Sequence, residues 1–561
     1  MKIKIFMFLL TGLVVTSGCK KEFLDRYPLD TLVDETYWSN ETNVRTFAWG
    51  FYPAYFSGYG SGFTWGKFFS GQSLNDDFAP TTPPQFTNVV PASGGGWTFS
   101  WVRKANIMIN RVERATLTDE AKKHWIGIGR FFRALEYHDL VKSFGDVPWF
   151  DKELDEQSPD LYKPRDSRIT VMDNVLADFQ YAAANVRTSD GNDGLTVNKY
   201  VVLAMMSRVF LWEGTFLKYH NINQAKATEY LQAAQWAANE VIKSNKYSIT
   251  DNYRSLFNSL DLNGKKGIIL YRQYESGLLT HSLHSYVNGE PQTGPSKDAI
   301  ESYLASDGLP ISISPLYQGD KTIGQVLTNR DPRLTETIAP DLRLKGIAPN
   351  YSTSGYAVHK FFNPALKDLP EGSSNLNRTD APVIRYGEVL LNYAEATAEL
   401  GMLTQADLDK SINKLRSRPG INMPALQVLG NQPAVNGTVY DDPSRDPDVP
   451  SIIWEIRRER RTELMMEGFR LDDLKRWKKL EYTDTQANPD INRGAWIVKA
   501  NYPGLHADVK IENNAPAGYI VPAPTAQRLF TNPRVYLDPI PLDQIQLYKA
   551  NGAELSQNPG W

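Results

Sequence analysis

The sequence predicts an all-α fold, in which a scaffold of helical hairpins is interrupted by irregular, loop-rich insertions. Apolar residues recur at three- and four-residue steps over several segments, as they do on one face of an α-helix. Glycine or proline follows several of these segments, where a helix would end. Two stretches, 51–96 and 247–379, lack a sustained helical period and are rich in Gly, Pro, Ser, Asn and aromatic residues. We therefore expect the helices to form a rigid scaffold and the irregular stretches to carry the binding surface.

The helical segments occur in pairs along the chain. They are predicted at 101–112, 121–144, 169–186, 202–210, 227–242, 383–400, 406–416 and 451–480, the last as one long charged helix. Gly145 and Pro148 end the second helix, because proline cannot continue one, and Asp166-Ser167 can cap the third. Such pairs resemble tetratricopeptide hairpins, although the period of ~34 residues typical of those repeats is irregular here.

The first twenty residues predict export and a lipid anchor. Lys2 and Lys4 precede an apolar run at 5–15, which is shorter than the ~20 residues that span a bilayer but suits a signal peptide. Small residues then precede Cys19, the only cysteine of the chain, and resemble the lipobox of bacterial lipoproteins. We expect a signal peptide at 1–18 and a lipid on Cys19. The charged segment 20–25 resembles those that direct lipoproteins of Bacteroidota to the outer face of the outer membrane, and no later stretch is expected to be apolar enough to cross a membrane.

Composition and charge restrict the class of partner. The chain has 41% hydrophobic and 22% charged residues, as ordinary globular proteins do. Its net charge of −3 leaves no basic surplus to neutralise phosphates, so nucleic acid is not an expected partner. Aromatic residues make up 12%, which allows stacking surfaces, although most aromatic side chains fill cores.

The sequence contains no motif typical of a catalytic or metal site. The seven histidines are scattered, no His-Glu-x-x-His motif occurs, and His281 and His284 lie in a stretch without helical patterning. The segment 58–62 has the spacing of neither a nucleophile elbow nor a phosphate loop. Asp76 and Asp77 would suit a glycosidase only if two carboxylates faced each other across a cleft, which sequence does not establish. We therefore expect no enzymatic activity, no metal and no cofactor.

Alternating charges predict structural ion pairs. In the run 455–463, Arg and Glu alternate at spacings that suit pairs between successive turns of one helix. A similar structural role, tying segments together, is expected of Arg385, Glu388, Glu395, Asp331 and Arg333.

Five segments, in order, resemble the SusD/RagB family of outer-membrane lipoproteins. They are GRFFRALEY with FGDVP at 129–148, NRDPRL at 329–334, IRYGEVLLNYAEA at 384–396, EIRRERRTEL with EGFR and DDLKRW at 455–477, and YLDPIP with QNPGW at 536–561. The resemblance implies one domain, 19–561, whose N-terminal part (19–246) holds the tetratricopeptide-like pairs. It also implies an irregular binding region (247–379) and a C-terminal part (380–561).

The resemblance further implies a surface lipoprotein that captures a nutrient for a SusC-like TonB-dependent outer-membrane transporter. A poly- or oligosaccharide is the expected glycan ligand. Two alternatives remain open. The ligand is a peptide or another nutrient in the first, and the chain is a surface interaction or adhesion protein without a transport role in the second.

Ligand contacts are predicted where aromatic and polar side chains occur together. The C–H faces of a sugar ring pack on aromatic rings, while charged groups and amides satisfy its hydroxyls. The candidates are Trp65, Asn75, Asp76, Trp97, Trp101, Arg272, Tyr274 and Tyr286, with Gln273 and Tyr317 as further possibilities in the later region. For the four aromatic candidates Trp65, Trp97, Trp101 and Tyr274, packing in a core remains the alternative.

Overall fold

The computed structural model describes residues 37–69, 74–86, 89–346 and 350–561. The predicted signal peptide, Cys19 and the charged segment behind it lie outside the described residues. In the part that is described, helices dominate and strands are short and few, so the predicted helical scaffold with loop-rich insertions is confirmed.

Eighteen α-helices and nine strands are assigned within those ranges. The longer helices are α1 (Glu41–Trp49), α3 (Ser100–Arg114), α4 (Asp119–Phe144), α5 (Arg168–Asn185), α6 (Lys199–Tyr219), α7 (Gln224–Lys243), α13 (Tyr386–Glu399), α16 (Ser451–Glu463), α17 (Arg470–Arg476) and α18 (Leu542–Ala550). The short ones are α2 (Tyr52–Tyr55), α8 (Ser255–Asn258), α9 (Leu283–Asn288), α10 (Lys297–Glu301), α11 (Ile323–Leu327), α12 (Pro332–Thr337), α14 (Gln405–Asp409) and α15 (Ile412–Arg416). The strands are β1 (Phe78–Ala79), β2 (Ile268–Arg272), β3 (Gly294–Pro295), β4 (Ala381–Arg385), β5 (Gln427–Leu429), β6 (Gln432–Val435), β7 (Thr438–Val439), β8 (Trp496–Val498) and β9 (Ala517–Tyr519).

Consecutive helices pack side by side to form the scaffold. Helix α3 packs on α4, α4 on α5, α5 on α6 and α6 on α7, and α13 then packs on α7 and carries α16 on its other side. The antiparallel strand pairs β1–β3 and β2–β4 join segments that are distant in sequence. The C-terminal part therefore continues the stack that the N-terminal helices begin.

The predicted helix ends agree with local chemistry. Ser167 caps α5, because its hydroxyl accepts a hydrogen bond from Thr170 N at 3.1 Å. Gly145 ends α4 with a φ of 73°, in the left-handed region that glycine tolerates best, and its N–H donates to Val141 O.

Four predicted helices are wrong in extent. The segment 202–210 is only the middle of α6, which runs from Lys199 to Tyr219. The segment 451–480 is two helices, α16 and α17, because Met466 and Gly468 adopt positive φ between them. The segment 383–400 begins as β4, which pairs with β2 before α13 starts at Tyr386. The segment 406–416 is divided into α14 and α15. Apolar periodicity does not register such breaks, because the side chains on both sides of each break remain buried.

Helix α6 is long and apolar enough to cross a membrane by length and composition, with a mean hydropathy of 1.3. The expectation that no later stretch has this character was therefore wrong. However, 89% of its apolar window is buried inside the protein, as expected for the central helix of a helical core.

Two apolar cores meet along a layer of buried ion pairs. One core lies between the scaffold helices, and the other lies beneath the irregular region and draws residues from 59 to 520. Glu463 lies in the layer between them and pairs with Arg333, Arg385 and Arg418 at 3.1, 3.0 and 2.7 Å. Glu459 likewise pairs with Arg333 at 2.7 Å.

The charged side chains of the run 455–463 therefore pair mainly with residues of other segments and less with one another along α16. Arg458 and Glu455 do pair within α16 at 3.1 Å, as predicted, but Glu459 and Glu463 bond to arginines from other segments. Arg333 and Arg385 tie distant segments together, as expected of them. Buried charges are tolerated only when they are compensated in this way.

Glu136 in α4 makes the free energy of unfolding depend on pH. Burial raises the pKa of its carboxyl to about 7, although Tyr55 donates a hydrogen bond to it at 2.6 Å. The folded-state pKa exceeds the unfolded value of about 4.3. The contribution of the protonated Glu136 carboxyl to the free energy of unfolding is therefore complete below pH ~4.3 and is lost as the pH rises through 7. We expect Glu136→Gln, which resembles the protonated acid, to gain on the order of 2 kcal/mol relative to the wild type between pH 5 and pH 8. Urea denaturation at pH 5 and pH 8 measures the free energies of unfolding of the variant and the wild type. A substitution of the exposed Glu113, Glu113→Gln, is the control. An equal difference between Glu136→Gln and the wild type at the two pH values would contradict the prediction.

Candidate functional site

An aromatic surface forms where the two irregular stretches meet. We call Phe63, Trp65, Leu278 and Tyr286 the aromatic platform. The Trp65 ring is 38% exposed, its Nε1 donates to Ser282 Oγ at 2.9 Å, and its centroid lies 4.3 Å from that of Tyr286. Phe63 and Leu278 are 72% and 86% exposed. An indole that is fixed by a hydrogen bond and a neighbouring ring while more than a third of the residue stays exposed is a preformed stacking surface.

Tight backbone turns present the platform residues. Gly60 has a φ of 82°, and a Cβ placed on it would lie 2.0 Å from Thr64 O, so only glycine fits this turn. Ser61 N then donates to Thr64 O, and Gly62 N donates to Thr280 O at 2.9 Å. The last bond joins the loop of Phe63 and Trp65 to the hairpin of Leu278.

Tyr274 and Arg272 support this loop from below. Tyr274 is only 2% exposed, and its hydroxyl donates to Gly60 O at 2.8 Å. Arg272 Nη1 donates to Ser57 O. The side chain of Tyr274 therefore offers no face to a ligand, and the packing alternative describes its position. Of the two further candidates, Gln273 is exposed between Arg272 and Tyr274. Tyr317 lies against Arg330, whose guanidinium carbon is 5.6 Å from the centroid of the Tyr317 ring.

Asn75 and Asp76 are buried and connect the early loop to the C-terminal helices. The Asp76 carboxylate accepts two hydrogen bonds from Arg470, at 2.7 and 2.6 Å. Burial would raise the pKa of Asp76, but Arg461 and Arg470 outweigh burial and hold it well below its usual range. Asn75 O accepts from Arg528 at 2.8 Å. These contacts anchor the loop, and the platform residues do not include either side chain.

Trp97 and Trp101 belong to the helical core. Trp97 is 7% exposed and meets Phe144 edge to face at 5.0 Å. Trp101 packs on Phe51 at 5.8 Å, with Lys104 Nζ 4.8 Å above its ring. The packing alternative therefore describes both tryptophans, because aromatic composition alone does not distinguish a core ring from a site ring.

The two neighbouring histidines are occupied by backbone carbonyls. His281 Nε2 bonds to Thr379 O at 3.0 Å, and His284 bonds to Gly372 O and Asn363 O. Burial lowers the pKa of His281 to about 3, so this imidazole is neutral at pH 7, and burial also lowers the pKa of His284. Among the described residues, no group of three or more His, Cys, Asp or Glu side chains is arranged to hold a metal ion.

Sequence reasoning missed a cavity of about 540 Å3 that opens beside α16. We call it the arginine-lined cavity. It is lined by four arginines (Arg457, Arg458, Arg461, Arg470), three aromatic residues (Trp454, Trp477, Tyr482) and several carboxylates, Asp76 among them. The sequence does contain a signal for this cavity, because Trp454 precedes the charged run 455–463 and Trp477 and Tyr482 follow it. The run was interpreted only as a set of structural ion pairs.

Comparisons with known proteins identify the relatives of the chain. A family profile described as SusD family matches residues 228–561. A SusD-like protein, P38, from Formosa agariphila is 25% identical over 509 residues, which cover 85% of this chain and 92% of that protein. The crystal structure of a SusD-like carbohydrate-binding protein from Bacteroides fragilis superposes with a TM-score of 0.66 at 22% identity, covering 92% of this chain and 99% of that one. A laminarin-binding SusD-like protein superposes with a TM-score of 0.56 at 19% identity, covering 93% and 100%.

Proposed function

The chain belongs to the SusD family, and from this premise we propose that it captures a glycan at the cell surface for delivery to a TonB-dependent outer-membrane transporter. The family consists of carbohydrate-binding proteins of the outer-membrane surface and not of enzymes, so the chain is a binding protein. The transporter partner, the lipid on Cys19 and the outward orientation are parts of the proposal.

The observation that carries the proposal is the fixed and partly exposed ring of Trp65. Its ring is held by Ser282 and Tyr286 in a position that needs no reordering when a ligand arrives, and the exposed Phe63 lies two residues before it in the same loop. A sugar polymer can lie across such rings because every pyranose has an apolar C–H face. An exposed platform, unlike an enclosed pocket, accepts a chain of any length, which suits a polysaccharide. We propose Trp65 and Tyr286 as ligand contacts and Arg272 and Tyr274 as positioning residues.

Related binding proteins support the class of ligand. One solved neighbour is described as carbohydrate-binding and another as laminarin-binding. Identities near 20% show a common fold and leave the particular glycan open. Peptide capture therefore remains the second candidate.

Trp65→Ala is expected to weaken polysaccharide binding by roughly tenfold to a hundredfold, because truncating a central aromatic contact commonly costs about 1.4–3 kcal/mol. The measurement is affinity electrophoresis of the mature soluble chain against a panel of polysaccharides, followed by calorimetry with the polymer that binds. Circular dichroism and urea denaturation check that the variant is folded.

Trp236→Ala is the matched control, because Trp236 is 47% exposed on α7 and lies outside the platform. Its affinity should equal that of the wild type. Equal losses in both variants would argue against a site at the platform. Silence of the folded wild type towards every polysaccharide, with binding of a peptide library, would replace the glycan by a peptide.

A further inference from the structure

The arginine-lined cavity has the properties of a second binding site that is open to solvent on one side. We propose that it binds a neutral sugar of one or two rings, separately from the polymer on the aromatic platform. The inference takes its ligand class from the proposed capture function, but its geometry does not depend on the platform. Apart from Asp76, none of the predicted ligand contacts lines this cavity.

The cavity has the size and access that a small ligand needs. Its volume of about 540 Å3 lies within the roughly 300–1,000 Å3 of small-molecule sites. Ser312, Ser444 and Ala487 are exposed at its mouth, whereas Arg457 and Trp477 are buried on its floor. A ligand of one or two rings can therefore enter from solvent and contact the buried floor.

Two aromatic rings in the wall are fixed by their own polar atoms. Trp454 Nε1 donates to Asp442 Oδ2 at 3.2 Å, and Tyr482 Oη donates to Asp446 Oδ2 at 2.5 Å. Both rings are half-buried, so part of each surface faces open space. Because their hydrogen-bonding groups are already used, these rings offer apolar faces on which the C–H groups of a sugar can pack.

Arg457 forms part of the floor. Its side chain is only 5% exposed, and within the described chain none of its guanidinium nitrogens makes a hydrogen bond. It lies between the rings of Tyr219 and Trp477, at 4.8 and 4.4 Å, and its nearest carboxylate oxygen is Glu399 Oε1 at 3.5 Å. All three guanidinium nitrogens are buried, so Arg457 contributes its positive charge and its packing between two rings to the floor, and not a contact with the ligand.

The carboxylates of the lining are already engaged in ion pairs. Asp76 pairs with Arg470, Asp298 with Arg461, Asp442 with Arg458, Glu301 and Asp490 with Lys297, and Asp446 and Glu481 with Lys479. A charged ligand would therefore have to compete with an existing ion pair. Hydroxyl groups both donate and accept, so they can use fixed carboxylates and fixed guanidinium groups together. This pattern favours a neutral, hydroxyl-rich ligand over a uronate or an amino sugar.

The test uses simple sugars as probes on the mature chain. D-glucose, D-galactose, D-mannose, D-xylose and their common disaccharides are compared with D-glucuronate and D-glucosamine by saturation-transfer NMR and calorimetry. We expect saturable binding of at least one neutral sugar. Ala487→Trp, which places an indole at the mouth, should lower that affinity about tenfold or more, because it fills the space that the ligand occupies. Gln486→Trp, at an exposed neighbour outside the lining, is the matched control and should bind as the wild type does.

Three results would overturn the proposal: no binding of any neutral sugar by the folded wild type, equal affinity in Ala487→Trp and Gln486→Trp, or tighter binding of glucuronate or glucosamine than of every neutral sugar. Polysaccharide binding measured on the same variants separates this proposal from the previous one. If Trp65→Ala loses the polymer and retains the simple sugar, two independent sites are supported. If the wild type binds no polymer but Ala487→Trp alone loses the simple sugar, the platform is refuted and the cavity stands.

Discussion

Glu463→Gln is expected to lower the free energy of unfolding by about 3–5 kcal/mol, because it leaves three buried arginines without their shared counter-charge. The Glu463 carboxylate accepts from Arg418 at 3.0 and 2.7 Å, from Arg385 at 3.0 Å and from Arg333 at 3.1 Å. Burial would raise the pKa of Glu463, but Arg418, Arg385 and Arg333 outweigh burial and hold it well below its usual range. The glutamine amide would retain one acceptor and direct two N–H groups towards guanidinium donors.

Urea denaturation followed by tryptophan fluorescence measures this loss, as a lower midpoint with an unchanged slope. Glu240→Gln is the matched control, because Glu240 forms a surface pair with Lys243 at 3.1 Å in α7. Such pairs contribute about 0–1 kcal/mol, so its midpoint should hardly change. A loss of less than about 1 kcal/mol in Glu463→Gln would show that the arginines find other compensation, and that the layer between the two cores is not a stabilising network.

Gly468→Ala is expected to lower the free energy of unfolding by about 2–4 kcal/mol and to weaken binding at the aromatic platform. Gly468 has a φ of 84°, and a Cβ on it would lie 2.5 Å from Lys67 O and 2.8 Å from Lys67 Cβ. Because the nearest atom belongs to the backbone, the chain at Lys67 has to move. Phe69 N also donates to Met466 O at 2.8 Å, so the break between α16 and α17 holds the segment that follows Trp65.

Gly401→Ala separates the two causes of that loss. Gly401 has a φ of 71°, and a Cβ there would meet no heavy atom within 4 Å, so this variant carries only the cost of the left-handed backbone, about 1–2 kcal/mol. Stability is measured by urea denaturation and binding by calorimetry with the polysaccharide identified for the wild type. We expect Gly468→Ala to be the less stable variant and the only one of the two with weaker binding. Equal stability and equal affinity would show that the Lys67 segment adapts without disturbing Trp65.

Local sequence was sufficient for most of the scaffold. Helices α3, α4, α5 and α7 were predicted close to their observed bounds, because apolar residues mark their buried sides and local signals mark some of their ends, as Ser167 and Gly145 do for α5 and α4. The prediction for α6, 202–210, covered less than half of that helix. The family followed from ordered motifs and is confirmed by the profile match. The breaks around Ser411 and Met466 were missed, since they depend on backbone angles that apolar periodicity does not encode.

The candidate site was predicted only as a set of residue types. Trp65 and Tyr286 were named separately, yet their contact at 4.3 Å joins positions 221 residues apart, and the same reasoning also named the buried Tyr274 and Trp97. Whether an aromatic ring faces solvent or a core depends on which segments pack against it.

The sequence by itself determined the helical scaffold, the family and the expectation of an exported, lipid-anchored chain, because these depend on local periodicity, caps and contiguous motifs. Only the tertiary structure decided which charges of the run at 455–463 compensate arginines from other segments, and which ring forms the platform. It also decided that Arg457, beside a cavity, has no hydrogen-bond partner among the described residues. Those properties arise from contacts between residues far apart in the chain, and a one-dimensional pattern does not specify such contacts.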